Sequence, residues 1–137
     1  MAIENYASKF VEKETIKKHY FVDNGLLSIF LSDTIAPLLE NLCAIHLYRK
    51  YEDKLYFYNK NVEVDFYLPE KKYAIQACVT LNEEDTKDRE VNALVKLDQL
   101  ENLSKMVIVT LEEETTITIP NGKTIEVMPA WKWMLMA

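Results

Sequence analysis

Carboxylates that could converge on a metal ion are the first chemical feature of this sequence. Glu40 falls in a long predicted helix, Asp65 in the second of three predicted strands, and Gln76 and Cys78 in the third. Residues two apart in a strand share a face, so Gln76 and Cys78 are expected to point the same way. Phosphodiester hydrolysis uses carboxylates on one or two Mg²⁺ ions and a lysine that positions water. The chain supplies the helix and second-strand carboxylates, but an amide and a thiol stand where a further acid and the lysine are needed.

Each of these side chains also has a purely structural interpretation. Asp65 fits a solvated strand face as well as a remnant metal ligand, and Glu40 fits a buried carboxylate paired with a donor. Gln76 is interpreted as a hydrogen-bonding residue of the pocket, because a neutral amide binds Mg²⁺ weakly. Cys78 is expected to fill a small space, since the sequence specifies no group that would stabilise its thiolate. Glu40 and Asp65 are therefore the predicted metal ligands, and Gln76 and Cys78 complete the predicted pocket.

Five further residues have side chains that could take part in binding or catalysis. Arg89 and Glu90, on the second long helix, are predicted either to reach the same pocket or to form a surface ion pair. His46 fits a packed histidine at the edge of the core better than a ligand, because no second His or Cys lies at zinc spacing. Trp131 and Trp133 could stack nucleic-acid bases, but two aromatics at a chain end are more typical of packing.

The elements that position these residues are predicted from turn signals and apolar periodicity. An unpatterned lead-in segment, residues 1–16, precedes a strand-like run at 17–25 and an apolar helical turn at 26–31. A long helix from about Ile35 to Tyr51 follows, capped by Asp33 and apolar on two sides, which predicts that most of its surface is buried. The remaining predicted elements are the strands Leu55–Tyr58, Val62–Leu68 and Lys72–Thr80, a helix from Asn82, the strand Lys105–Leu111, a hairpin of Thr115–Ile119 and Lys123–Met128, and a helical turn at Trp131–Leu135.

Strict alternation along the strands assigns side chains to faces. In the second strand it predicts one face of Val62, Val64, Phe66 and Leu68 and an opposite face of Glu63, Asp65 and Tyr67. In the third strand it separates Tyr73, Ile75, Ala77 and Val79 from Ala74, Gln76, Cys78 and Thr80. We therefore expect Glu40, Asp65 and Gln76 to lie around one pocket at the edge of the sheet.

The order α–β–β–β–α–β, with an acid in the first helix and another in the second strand, resembles the core of the PD-(D/E)XK nuclease superfamily. A closer resemblance is to the C-terminal domain that follows an AAA-type ATP-binding module in many prokaryotic ATPases. It covers nearly the whole chain from about Lys17 onward. Five short runs carry it: Phe21–Leu27, Leu39–Leu42, Glu63–Phe66, Ile75-Gln76 and Arg89-Glu90.

This resemblance implies an α/β, restriction-endonuclease-like domain over residues 17–137. Its core would be a central mixed sheet flanked by helices, with a C-terminal β-hairpin added. It also implies an ATPase module upstream in the native protein. The sequence departs from the superfamily pattern at Gln76 and Cys78, so the acid and the lysine of the (D/E)XK element are both absent.

The composition indicates one globular domain. With 137 residues the chain can build a single core, and its two glycines leave no room for a Gly-rich phosphate loop. The formal net charge of −6 means that nucleic-acid binding would need a local basic patch, and no long basic run is present. Two cysteines form no disulfide framework, and no stretch suits a signal peptide or a membrane helix, so a cytoplasmic protein is expected.

Three functions follow from these patterns. The first is a non-catalytic accessory domain of an AAA-type ATPase, which binds a partner protein or nucleic acid and needs no cofactor. The second is an active Mg²⁺-dependent DNase in which the two carboxylates hold the metal and Lys60, Lys71 or Lys72 replaces the missing lysine. The third is a protein-interaction or oligomerisation module that uses the apolar run Trp131–Met136.

Overall fold

The computed structural model describes residues 1–6, 17–20 and 35–136. A short 3₁₀ turn at Glu52–Lys54 separates the first helix from the third strand. The strands and helices are β1 (Ala2–Asn5), β2 (Lys17–His19), α1 (Ile35–Tyr51), β3 (Tyr56–Lys60), β4 (Val62–Leu68), β5 (Tyr73–Ala77), α2 (Glu84–Glu101), β6 (Lys105–Thr110), β7 (Thr115–Thr118), β8 (Thr124–Pro129) and α3 (Ala130–Leu135). No helix within these ranges is both long and apolar enough to cross a membrane.

The strands form one mixed sheet in the order β2-β1-β3-β4-β5-β6-β8-β7. The pairs β1–β3, β5–β6 and β6–β8 are parallel, and the other neighbours are antiparallel. One face of the sheet packs against α1 and α3, through residues such as Leu47 and Trp133, and the other packs against α2 through Leu94 and Leu97. The expected α/β class, with a mixed sheet between helices and a C-terminal hairpin, is confirmed.

Helix α1 has the bounds that its sequence predicts. Pro37 lies in the first turn, where its missing N–H has no intrahelical acceptor to lose. No residue from Leu38 to Tyr48 is exposed, which confirms that this helix is buried on most of its surface. Arg49 and Lys50 occupy the last turn, where the helix dipole favours positive charge.

The interpretation of residues 1–16 as an unpatterned lead-in is wrong for the part that the structure describes. Ala2–Asn5 is a strand that pairs antiparallel with β2 and parallel with β3. Ile3 is only 2% exposed and belongs to the core. A strand of four residues has too few alternations to be distinguished by pattern. The predicted helical turn at 26–31, the predicted cap Asp33 and most of the run 17–25 lie outside the described residues.

Strand β4 contains a β-bulge, which corrects the predicted faces. The step from Tyr56 to Tyr58 on β3 is opposed by the longer step from Tyr67 to Val64 on β4, so β4 has one extra residue between Val64 and Tyr67. Val64 and Tyr67 consequently pack on the α2 side, whereas Phe66 packs on the α1 side. The predicted single face of Val62, Val64, Phe66 and Leu68 is therefore wrong, because alternation reverses at the bulge. On β5, which has no bulge, the predicted faces are confirmed.

The hairpin at Pro120-Asn121-Gly122 forms as predicted, and Gly122 supplies the positive φ of +89° that its turn requires. This turn is fastened to the end of α2. The buried Asp98 carboxylate accepts hydrogen bonds from Lys123 Nζ at 2.6 Å, from Asn121 Nδ2 at 2.7 Å and from the Leu103 N–H at 2.8 Å. The hairpin and the helix are thus held by one satisfied buried charge.

Candidate functional site

The site lies at a fork between two strands. The β4–β5 ladder pairs Leu68 with Tyr73 and ends where Phe66 pairs with Ile75. Beyond that point β5 remains paired with β6 through Gln76 and Ala77, while β4 continues away past the bulge. The two strands therefore separate, and the gap between them opens toward α1 and α2.

Gln76 bridges the fork with its side chain. It is only 1% exposed; its Oε1 accepts the Asp65 N–H at 2.8 Å, and its Nε2 donates to the Glu63 carbonyl at 3.2 Å. These bonds lie beyond Phe66–Ile75, the last backbone pair between β4 and β5. They also satisfy the buried backbone groups of β4, which would otherwise cost free energy. Both polar atoms of the amide are thus engaged with the backbone of β4.

Asp65 points into the gap and also bonds the opposite strand. Its Oδ2 accepts the Ala77 N–H at 2.8 Å, and its Oδ1 lies 4.0 Å from Lys18 Nζ. The side chain is only 15% exposed. Burial raises the pKa of Asp65, and the negative charge of Glu40 raises it further.

Glu40 approaches the same gap from helix α1. Its Oε2 accepts the Tyr20 hydroxyl at 2.6 Å. Burial and the neighbouring Glu40 charge raise the pKa of Tyr20 well above its usual value, so the phenol keeps its proton and remains a donor. The helix face that carries Glu40 also carries Cys43 and Leu47, which are packed in the core. Glu40 thus lies at the end of a buried helix face, where its carboxylate is hydrogen-bonded to Tyr20.

These groups form an acidic cleft of about 440 Å³, whose charged lining residues are Glu40, Glu63, Asp65, Arg89 and Glu90. Lys18 Nζ binds Glu63 Oε1 at 2.6 Å, and Arg89 lies 3.8 Å from Glu90. Burial raises the pKa of Glu90, and the positive charge of Arg89 partly offsets this increase. Burial alone would lower the pKa of Lys18, but its hydrogen bond to Glu63 and the charges of Glu40 and Asp65 together raise it. Lys18 therefore remains charged.

The structure brings together four predicted site residues and leaves two out. Glu40, Asp65, Arg89 and Glu90 line the acidic cleft, and Arg89 and Glu90 also form the predicted ion pair. Gln76 does not line it, because β5 alternation and the bridge to β4 direct its side chain away.

Cys78 is the second residue left out. It is half-buried, and its Sγ donates to the Thr80 carbonyl at 3.2 Å. Burial, and secondly the charge of Glu90, raise the pKa of the Cys78 thiol. The side chain therefore stays a neutral filler, which agrees with its structural interpretation.

Sequence reasoning missed Lys18, Tyr20 and Glu63. Lys18 and Tyr20 come from a segment remote in sequence, and only the sheet order brings β2 near the fork. The lysines predicted to replace the missing cation lie elsewhere. Lys60 is exposed and does not line the cleft, and Lys72 binds Glu101 at 3.3 Å. The alternating pattern of Lys18 and Tyr20 in a strand-like run was the available signal.

The described residues do not fit a Mg²⁺ site. Within the described ranges, no three His, Cys, Asp or Glu side chains lie close enough together to share a metal ion. One Asp65 oxygen is already bonded to a backbone N–H and one Glu40 oxygen to a phenol. A divalent ion would also face the ammonium of Lys18. Among the described residues, the predicted metal role of Glu40 and Asp65 thus has no third ligand to support it.

The remaining predicted residues lie at the other end of α1. His46 is half-buried and contacts Trp133 edge-on, with ring centroids 4.9 Å apart, as expected for a histidine at the edge of the core. Trp133 is 5% exposed, whereas Trp131 is 64% exposed. The prediction that both tryptophans pack inward is therefore right for Trp133 and wrong for Trp131, because a helical turn as short as α3 buries only one side.

Comparisons with known proteins add a relative of unknown activity. Uncharacterized protein MJ1544 of Methanocaldococcus jannaschii is 36% identical to this chain over a region that covers 86% of the chain. The chain spans about 29% of the length of that relative. No protein-family model matches the chain, and no solved structure matches it significantly. The function must therefore be argued from the geometry of the site.

The raised pKa of Asp65 predicts a pH-dependent loss of stability. A carboxyl whose folded pKa exceeds its ordinary 3.8 favours folding when protonated, so the stability that it contributes falls as pH rises from about 4 through the folded pKa. Asp65→Asn keeps the acceptor for the Ala77 N–H and removes the charge. We expect the variant to gain at least about 1 kcal/mol over the natural protein between pH 5 and pH 8, since one pKa unit corresponds to about 1.4 kcal/mol.

Urea unfolding at several pH values measures this difference. The matched control is Asp88→Asn, which removes an exposed aspartate from α2. Parallel stability curves for the natural protein and Asp65→Asn would show that the Asp65 carboxylate is not destabilised in the cleft.

Proposed function

We propose that this chain is a non-catalytic nuclease-like domain of the PD-(D/E)XK type, which in the native protein accompanies an AAA-type ATPase module and binds a partner. The observation that carries the proposal is the position of Gln76. The fork of β4 and β5, with Glu40 from α1 and Asp65 from β4 lining one cleft, supports that scaffold. The residue that should supply a third acid is instead Gln76, a buried amide that is hydrogen-bonded to the backbone of β4.

The cation chemistry of the cleft also supports a non-catalytic role. At the position of the expected third-strand lysine, Cys78 is a neutral thiol bonded to a carbonyl. The ammonium that does approach Asp65 belongs to Lys18, and it is bound at 2.6 Å to Glu63. It neutralises carboxylates that would otherwise repel each other, which is a structural task. Phosphodiester cleavage would require that lysine to be released and a metal to replace it.

A partner protein fits the acidic cleft better than nucleic acid does. Its lining carboxylates Glu40, Glu63, Asp65 and Glu90 outnumber the nearby cations Lys18 and Arg89. Such a surface repels phosphates at close range, and the net charge of −6 adds to that repulsion. The accessory relation to an ATPase rests on the sequence resemblance. The observation that the chain spans about 29% of its relative MJ1544 is compatible with a domain of a larger protein.

An oligomerisation role is the second candidate, and one surface favours it. Trp131, Leu135 and Met136 on and after α3 are 64%, 79% and 56% exposed. Trp131 and Leu135 are four residues apart on a helical turn and therefore lie side by side. A contiguous apolar patch of this kind is typical of an interface. Sedimentation of the natural protein beside Trp131→Ser with Leu135→Ser decides this candidate, since an oligomer held by the patch would dissociate in the variant.

The proposal predicts that the purified protein does not cleave DNA. We expect no nicking of supercoiled plasmid with millimolar Mg²⁺ or Mn²⁺, because the part of the cleft that the structure describes offers no third metal ligand and no free lysine. The same divalent ions should leave the melting temperature unchanged, since ions that do not bind the folded state do not stabilise it.

The matched control for this assay is Asp65→Asn, purified in parallel to reveal any contaminating nuclease. Cleavage that is present in the natural protein and lost in Asp65→Asn would instead establish the Mg²⁺-dependent DNase.

A further inference from the structure

A second cleft of about 410 Å³ lies at the opposite end of α1 from the acidic cleft. Its polar lining consists of His46, Lys50, Tyr51, Lys71, Tyr73 and Lys105, which come from the end of α1, the β4–β5 turn, β5 and the start of β6. We call it the lysine cleft. Lys50 is ten residues beyond Glu40 on α1, a rise of about 15 Å. The lysine cleft and the acidic cleft share no lining residue.

The lysine cleft is locally basic in an acidic protein. None of the Asp and Glu residues that the structure describes lines it, although the chain carries a net charge of −6. None of the ion pairs formed within residues 1–6, 17–20 and 35–136 uses Lys50, Lys71 or Lys105. Glu52, Asp53 and Glu70 line an adjoining cleft, which Lys50 and Lys71 also line. Glu70 is engaged at 3.5 Å by Lys54.

Aromatic rings hold the three ammonium groups in place. Lys50 and Lys71 lie 5.5 and 5.8 Å from the Tyr51 ring centroid, and Lys105 lies 5.0 Å from the Tyr73 centroid. These distances are within cation–π range, so the rings orient the charges without neutralising them. Three like charges around one cleft repel each other, and an anion between them would remove that repulsion.

The floor of the lysine cleft is fixed and can donate a hydrogen bond. Trp133 is 5% exposed and its Nε1 donates to the Tyr73 hydroxyl at 2.9 Å. Burial is the main cause that raises the pKa of Tyr73 to about 12, so this hydroxyl keeps a proton. In the described part of the chain its oxygen accepts the Trp133 N–H, and its proton can point to a ligand. Burial and the charge of Lys50 lower the pKa of His46, as expected beside a positive group.

We propose that the lysine cleft binds a phosphate-bearing ligand of nucleotide size, held by Lys50, Lys71, Lys105 and the Tyr73 hydroxyl. Lysine is a common phosphate ligand, and a cleft of this volume matches sites for small molecules. The tyrosine rings provide an apolar surface for the remainder of such a ligand. The phosphate could belong to a free nucleotide or to single-stranded nucleic acid. This inference is independent of the proposed function, because it involves none of the residues of the acidic cleft.

Calorimetric titration with two probes tests the proposal. Inorganic pyrophosphate represents a free phosphate ligand, and a ten-nucleotide oligothymidylate represents single-stranded nucleic acid. The test variant is Lys50→Gln with Lys71→Gln and Lys105→Gln. The control is Lys17→Gln with Lys60→Gln and Lys96→Gln, which removes equal charge from exposed lysines outside the lysine cleft. All six lysines are exposed, so both variants should fold.

We expect at least one probe to bind the natural protein, with affinity reduced at least tenfold in the test variant and less than threefold in the control. Tight binding of pyrophosphate identifies a free phosphate ligand, whereas binding of oligothymidylate alone identifies nucleic acid. Asp65→Asn should bind the two probes as the natural protein does. Probe binding by this variant shows that the lysine cleft acts independently of the acidic cleft, whatever the function of the acidic cleft. Binding of neither probe at millimolar concentration, or equal losses in both lysine variants, would overturn the proposal.

Discussion

Where β4 and β5 separate, the amide of Gln76 takes over hydrogen bonds that backbone groups make elsewhere in the sheet. The β4–β5 ladder ends at the Phe66–Ile75 pair, and beyond it Gln76 bonds the Asp65 N–H and the Glu63 carbonyl of β4. Asp65 adds a bond in the opposite direction, because its side chain accepts the Ala77 N–H of β5. The fork stays open and ordered for this reason. The same bonds engage the side chain at the position where a nuclease site would need its third acid. One interaction therefore both shapes the cleft and leaves it without that metal ligand.

Charge is segregated along α1. Its first half brings Glu40 to a cleft where carboxylates predominate, and its last turn brings Lys50 to a cleft that no carboxylate of the described ranges lines. The helix dipole favours positive charge at its C-terminal end, and Lys50 is placed accordingly. In the acidic cleft Lys18 binds Glu63 and Tyr20 binds Glu40, whereas the ammonium groups of the lysine cleft lie over tyrosine rings and form no ion pair within the described residues. A phosphate ligand and a protein partner could thus use opposite ends of one domain.

Much of the fold follows from local pattern. The bounds of α1, the strand Val62–Leu68 and the Asn121-Gly122 hairpin are predictable, because periodicity and turn chemistry act over a few residues. The faces of β4 were not predictable, because alternation assumes an unbroken strand and a bulge depends on the partner strand. The convergence of Glu40 with Asp65 could be expected from the order of elements. The role of Lys18 and the lysine cleft could not, because both are assembled from segments that only the sheet order brings together.

Amide hydrogen exchange at Asp65 tests the central claim that Gln76 bridges the fork. Gln76→Met keeps the volume and removes both hydrogen-bonding groups, and Gln99→Met is the matched control at an exposed glutamine on α2. Leaving a buried donor and acceptor unpaired costs about 1–3 kcal/mol for each group. The account predicts that the Asp65 amide exchanges at least tenfold faster in Gln76→Met than in Gln99→Met. Equal protection of that amide in the two variants would show that β4 and β5 are held together by something other than Gln76.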